Sequence, residues 1–197
     1  MSSPAPSAGI PPRGKLIIIS GPSGVGKGTL VSRVRQSGEF PLAMSISATT
    51  REKRPGEQDG VDYHFLSRDE FLARQNRGEF LESFEVYPGG ALYGTLKAPV
   101  LAELEKGNWV ILEIDVKGAE EAPKSFPDAL TVFIEPPGLD VLEARLRGRG
   151  TETEESLAKR LAQAQSEIEK AGQYKYRVVN DRLEHAVADL TASLIKG

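Results

Sequence analysis

At 197 residues the chain is long enough to bury one substantial core with a small inserted unit. Hydrophobic residues at 39% and charged residues at 27% describe a globular protein, and a formal net charge of −3 speaks against a general nucleic-acid binder. Any phosphate binding must come from locally focused cations. The absence of cysteine excludes disulfides and thiolate chemistry and suits a reducing, cytoplasmic setting.

Residues 1–13 are rich in Pro, Ser, Ala and Gly and lack the basic start and apolar run of a secretory signal, so a disordered tail is expected there. No apolar stretch approaches the roughly 20 residues of a membrane span, and no membrane partner is expected. The strand candidates are KLIIIS (15–20), LAMSIS (42–47), WVILEID (109–115), LTVFIE (130–135) and YRVVN (176–180). Apolar runs without polar alternation suit strands covered on both faces of a parallel sheet. Helical patterns cover 26–36, 96–106, 138–147, 153–171 and 182–195. The order predicts an α/β three-layer fold on a parallel sheet.

The first strand runs into GPSGVGKGT, where Gly21, four residues, Gly26 and Lys27 match the phosphate-cradling P-loop. Its context is a strand before and a helix after. Gly21, Gly24 and Gly26 let backbone N–H groups converge on phosphate oxygens, the helix N-terminus adds partial positive charge, and Lys27 reaches the outer phosphates. Pro22, Ser23 and Val25 complete the loop. The usual hydroxyl directly after the lysine is replaced by Gly28, with Thr29 one place later. The cradle is backbone and lysine, so it survives; the lost hydroxyl is a Mg²⁺ ligand.

Residues 48–94 interrupt the rhythm with arginines, glycines and short strand-like pieces (VDYHFL, EFLESFEV) around one helix, 67–76. That predicts a β-rich lobe over the carboxyl edge of the sheet, where ligands bind in open α/β folds. The core would then be 14–47 and 95–197. Arg51 and Arg54, three apart, suit a bidentate grip on one phosphate or equally a solvated surface. The segment 145–156, RLRGRGTETEES, reads either as a lid or as a solvated loop.

The string SISATTREKRPGEQDGVDY (45–63) fills every fixed position of S-x-S-x-T-T-R-x-x-R-x-G-E-x-x-G-x-x-Y and resembles the GMP-binding segment of guanylate kinases. The similarity extends through GEFLE (78–82), LYGT (92–95), LEID (112–115), RLRGRGTETEESLAKR (145–160) and VVND (178–181). It implies a P-loop nucleoside monophosphate kinase that passes the γ-phosphate of ATP to GMP, and to dGMP, with Mg²⁺. By the same resemblance Ser47 and Glu82 read guanine with Asp115 nearby, and Arg51, Arg54, Tyr63 and Tyr93 hold the GMP phosphate with Thr95 close by. Lys27, Arg54, Arg149 and Arg160 are the expected catalytic cations, Arg145 assists on the ATP phosphates, and Asn180 lies where the family contacts adenine. Residues 145–156 become an arginine-bearing lid. No direct protein ligand to the metal is expected, with Asp115 acting through water. Departures from the family pattern are Gly28 for Ser or Thr, Ala91 for Asn, Lys117 for Gln and Glu113 for Asp.

Guanine offers the acceptor O6 beside two donors, N1–H and the amino group. A hydroxyl and a carboxylate match that edge, and adenine mismatches it. The GMP phosphate, with a second pKa of about 6, is already a nucleophilic dianion at pH 7, so no side chain need remove a proton. Neither histidine is assigned a role. Two other readings of such a chain are a catalytically inactive phosphopeptide-binding module and a kinase for another small phosphorylated substrate. The intact loop lysine argues against the first and the complete guanine string against the second.

Overall fold

The computed structural model describes residues 14–85, 90–148 and 153–197. The predicted tail over 1–13, Arg149 and the middle of the predicted lid lie outside the described residues. The strands and helices run in the order β1 (Leu16–Ser20), α1 (Lys27–Gln36), β2 (Leu42–Met44), β3 (Ala48–Thr49), β4 (His64–Phe65), α2 (Arg68–Asn76), β5 (Phe80–Glu85), β6 (Leu92–Leu96) and α3 (Lys97–Glu105). They continue with β7 (Trp109–Glu113), α4 (Val116–Ser125), β8 (Leu130–Glu135), α5 (Leu139–Arg147), α6 (Glu154–Ile168), β9 (Tyr176–Val179) and α7 (Leu183–Lys196).

Five strands form one sheet in the order β2-β7-β1-β8-β9, and every pairing in it is parallel. The run Leu16-Ile17-Ile18-Ile19 is buried throughout because helices cover both faces. The period-two alternation of a strand divides it: Ile17 and Ile19 pack with Leu30, Val34, Leu142, Leu146 and Leu190, whereas Leu16 and Ile18 pack with Val100, Ala119 and Ala122. The result is a three-layer α/β core. A second sheet, ordered β4-β3-β6-β5, has its own small core in which Phe71 of α2 stacks on Phe80 at 4.3 Å between ring centres. Its strand β6 continues through Leu96 into α3.

Several elements differ from the sequence reading, and β3, two residues long, and β6, its pattern interrupted by Gly94, are absent from its strand candidates. The second strand stops at Met44; Ser45 N–H still donates to Ile111 O at 3.0 Å, after which the chain crosses to the second sheet at Ala48. Helix α4 is absent from that reading, since Gly118 and Pro123 obscure its pattern; it starts because the Asp115 carboxylate caps it, accepting from Gly118 N–H at 2.9 Å. The helix expected over 153–171 ends at Ile168 and passes into a 3₁₀ turn at Ala171–Gln173, while Thr153 and Ser156 cap its start reciprocally.

Candidate active site

The carboxyl ends of β1, β7 and β8 open onto one edge, where the phosphate loop lies beside Glu113. At the end of β1 the loop turns into α1. Gly26 caps the helix in the left-handed region (φ +99°), and a Cβ there would stand 2.6 Å from Asn180 Nδ2, so glycine is required twice over. Gly24, expected only to open the cradle to phosphate, has a second task. Its φ is +86°, and a Cβ there would stand 2.7 Å from Leu146 Cδ2, so the missing side chain also seats the loop against α5. The first intrahelical bond is made by Leu30 N–H to Gly26 O, which leaves the N–H groups of Lys27, Gly28 and Thr29 at the open end of the helix. Neither an acidic first turn nor a side-chain cap competes for them. The Lys27 ammonium arcs back over the loop, donating to Gly21 O (2.5 Å) and Pro22 O (3.1 Å).

The loop is held from behind by side chains. Asn180 is buried and its Nδ2 donates to Val25 O at 2.7 Å; Arg145 donates to the same carbonyl at 3.2 Å and to Asn180 O at 2.9 Å. Both residues therefore brace the loop, apart from the ATP contacts expected of them. Arg160 on α6 reaches Ser23 Oγ at 3.4 Å, bringing a cation from the helix after the predicted lid to the phosphate loop.

A cavity of about 200 Å³ lies between the second sheet and the carboxyl edge of the first. Its walls include Ser47, Tyr63, Glu82, Tyr93, Glu113 and Asp115. Five of these come from four separate stretches of the expected GMP site and converge on one small volume. Glu82 is 4% exposed; Thr95, fully buried, donates its hydroxyl to Glu82 Oε1 at 2.7 Å, and Glu82 Oε2 has no partner. Burial, with Asp115 adding repulsion, pushes the Glu82 carboxyl up to about 7. Burial also raises Asp115 and Glu113, the latter opposed by Lys27. The aromatic wall is layered, with Tyr93 stacked on Phe84 at 6.0 Å and edge-on to Tyr63 at 6.1 Å.

The two arginines of the string are organised by a residue the sequence reading left out. Glu57 takes both Nη groups of Arg51 (3.0 and 2.7 Å) and the backbone N–H of Arg54 (2.8 Å), which holds it ionised below the usual carboxylate range. Arg51 also lies 5.4 Å from the Tyr63 ring centre. The Arg54 side chain is exposed. Glu57 was legible as a fixed letter of the string, but its task, orienting arginines, has no local signature. Glu113 was noted only as a departure. Its carboxylate oxygens stand 3.6 Å from where a Gly28 Cβ would be, at the mouth of the phosphate loop.

A parallel sheet whose central strand ends in this loop, with a carboxylate-lined cavity beside it and arginines on both sides, defines a P-loop kinase. A family model for guanylate kinase matches residues 13–196. A curated guanylate kinase from Carboxydothermus hydrogenoformans is 50% identical over 182 residues, covering 92% of this chain and 88% of the relative. One from Rhodopirellula baltica is 45% identical over 185 residues, covering 92% and 88%. The crystal structure of guanylate kinase from Anaplasma phagocytophilum superposes with a TM-score of 0.73 at 30% identity, covering 94% of this chain and 86% of that one. The chain belongs to the guanylate kinase family. Among the described residues no helix is long and apolar enough to cross a membrane.

Proposed function

We propose that the protein is a nucleoside monophosphate kinase that transfers the γ-phosphate of ATP to GMP, giving ADP and GDP. The observation that carries this reading is the buried Glu82 carboxylate, with one oxygen fixed by Thr95 and the other unpartnered at the cavity wall. A guanine entering there offers N1–H and its amino group to an acceptor that otherwise bears an uncompensated desolvation cost. Ser47 supplies the donor for O6, and Asp115 a second acceptor nearby. The reading extends to dGMP, since nothing in the argument uses the ribose.

Arg51, Arg54, Tyr63 and Tyr93 hold the GMP phosphate in this reading. Glu57 keeps Arg51 oriented until the phosphate arrives, and a dianion is a stronger partner than one carboxylate. Residues 48–94 act as the GMP-binding lobe on a core of 14–47 and 95–197. Gly21 to Thr29 cradle the ATP phosphates, and Thr29, on the first turn of α1, binds a phosphate oxygen. Arg149 and Arg160, from a lid over 145–156 and the helix after it, offset the charge that develops as two anions are driven together. The GMP oxygen attacks in line and ADP leaves with the electron pair; the dianionic nucleophile needs no base.

Mg²⁺ accompanies ATP in this scheme. Among the described residues there is no group of three or more acids and histidines able to cage an ion. The carboxylates near the loop are Glu113, beside Gly28, and Asp115 two residues on. That donor set fits an ion that keeps most of its shell as phosphate oxygens and water, with Glu113 and Asp115 orienting the waters. Held so, Mg²⁺ would supply positive charge that offsets the phosphates of ATP.

A coupled ADP-release assay with ATP and GMP, dGMP, AMP or no acceptor tests the proposal. Rapid turnover with GMP and dGMP is expected, with AMP slower by about 10² or more because its edge leaves Glu82 unmatched. Equal turnover of AMP, or none of GMP, overturns it.

A further inference from the structure

Gly118 is the third residue of α4, and its backbone is ordinary helix, so its own conformation does not ask for glycine. Glycine is also the poorer helix former at such a position. What asks for glycine is the neighbour. A Cβ at 118 would stand 2.9 Å from Glu82 Oε2, 3.2 Å from Glu82 Cδ and 3.3 Å from Phe84 Cε1. The tightest of these contacts is with the tip of a side chain, not with backbone, so an added methyl group would be absorbed by displacing the carboxylate rather than the fold.

The same residue touches the second acid of the cavity, since its N–H donates to Asp115 Oδ1 at 2.9 Å. Two groups thus set Glu82 from opposite sides: Thr95 holds Oε1, and the bare Cα of Gly118 admits Oε2, the oxygen left without a partner. We propose that Gly118 is a positioning residue for base recognition, its missing side chain being the slot in which the Glu82 carboxylate lies against the first turn of α4. The inference rests on the reading of Glu82 as the guanine acceptor. Gly118 touches no substrate itself; it acts through where it lets Glu82 stand.

A double-variant cycle tests this. Gly118→Ala, Glu82→Ala and the pair are compared with the parent by GMP kcat/KM, ATP KM and melting temperature. Misplacing a group by about an ångström can cost up to about a hundredfold, so Gly118→Ala should lower GMP kcat/KM by roughly tenfold or more, with ATP KM and melting little changed. In the Glu82→Ala background the added methyl group no longer meets a carboxylate, only the edge of Phe84 at 3.3 Å, and its effect should shrink to less than about twofold. GMP kinetics within about twofold of the parent for Gly118→Ala, or an equal loss in both backgrounds, overturns the inference. If Gly118→Ala alone melts early, recovery of melting in the pair supports it and no recovery overturns it. Normal GMP turnover by Glu82→Ala is a separate result that sinks the guanine reading itself.

Discussion

The phosphate loop and the guanine cavity sit a few residues apart on the same sheet edge, yet they are built on opposite principles. The loop is main chain: glycines in unusual conformations, open N–H groups and a helix end, braced by Asn180 and Arg145 through one carbonyl, Val25 O. The cavity is side chain: a buried acid, a buried hydroxyl and stacked rings, drawn from β5, β6 and the chain on either side of β3. A backbone device tolerates almost any phosphate and gives rate. A side-chain device reads one edge and gives choice. The two ends should therefore fail in different kinetic constants.

The strongest way to break that division is at Lys27, the loop's proposed phosphate-binding cation. Lys27→Ala should lower kcat by at least roughly 10³ while the GMP KM moves only a few-fold, because the lost charge acts on the transferring phosphoryl group. Melting should shift little, since the half-buried ammonium donates to Gly21 O and Pro22 O of its own loop. A KM defect of the same size as the kcat defect would merge the two sites into one.

At the cavity the pattern inverts. Glu82→Gln keeps the shape but turns an N–H toward a donor, and mismatched buried polar groups can cost about 10²–10⁴ in selectivity. GMP kcat/KM should fall by roughly 10² or more with the ATP KM unchanged. Unaltered GMP kinetics would remove Glu82 from the site.

These expectations also mark what was legible in the chain. The loop could be read because its chemistry is local: Gly21 to Lys27 are contiguous, and strand and helix flank them. The packing of Gly24 on Leu146 and the bracing of Val25 O by Asn180 and Arg145 lay beyond that local signal. The fold class followed from the same kind of pattern, apolar runs alternating with helical stretches. Ser47, Glu82 and Asp115 needed a resemblance, because the physics joining them is tertiary; no spacing says that residues 47, 82 and 115 share a cavity. Glu57, Glu113 and Gly118 escaped for that reason. Each acts through a contact made across the fold or around a turn, and Gly118 further disguised the helix it belongs to.

Acidity sharpens the comparison, since only the cavity carries a strongly displaced acid among its expected substrate contacts. Glu82 has its carboxyl raised from 4.5 to about 7 by burial, so the native state binds the proton more tightly than the unfolded chain. The associated stability is fully present below the unfolded value and lost as pH rises through the folded one. Glu82→Gln has no such loss. The two proteins should melt alike near pH 4.5 and diverge by roughly 5–10 °C at pH 8, with the variant the more stable. GMP affinity should in turn weaken as pH drops below about 7 in the parent, beyond what phosphate protonation causes, and that extra component should vanish in the variant. Parallel melting curves across the range would mean that Glu82 is solvated like a surface acid.

The smallest effect is expected where the loop meets the metal. Gly28 is the second residue of α1, exposed, and a Cβ there would find only the Glu113 carboxylate, at an ordinary 3.6 Å. A serine therefore fits without rearrangement. Its hydroxyl can donate to Glu113 while offering an oxygen toward the ion that Glu113 is proposed to orient through water, so the added ligand competes with a carboxylate already serving the same purpose. The gain is limited further because Mg²⁺ gives up its waters reluctantly. Gly28→Ser should lower the Mg²⁺ concentration for half-maximal rate by only about two- to threefold, with the GMP KM unchanged. Replacing a helical glycine should also raise melting by about 1–2 °C. A tenfold shift in Mg²⁺ demand would mean that the loop, and not the carboxylates, governs the ion. No shift, with the melting gain still present, would mean that the serine hydroxyl turns wholly to Glu113.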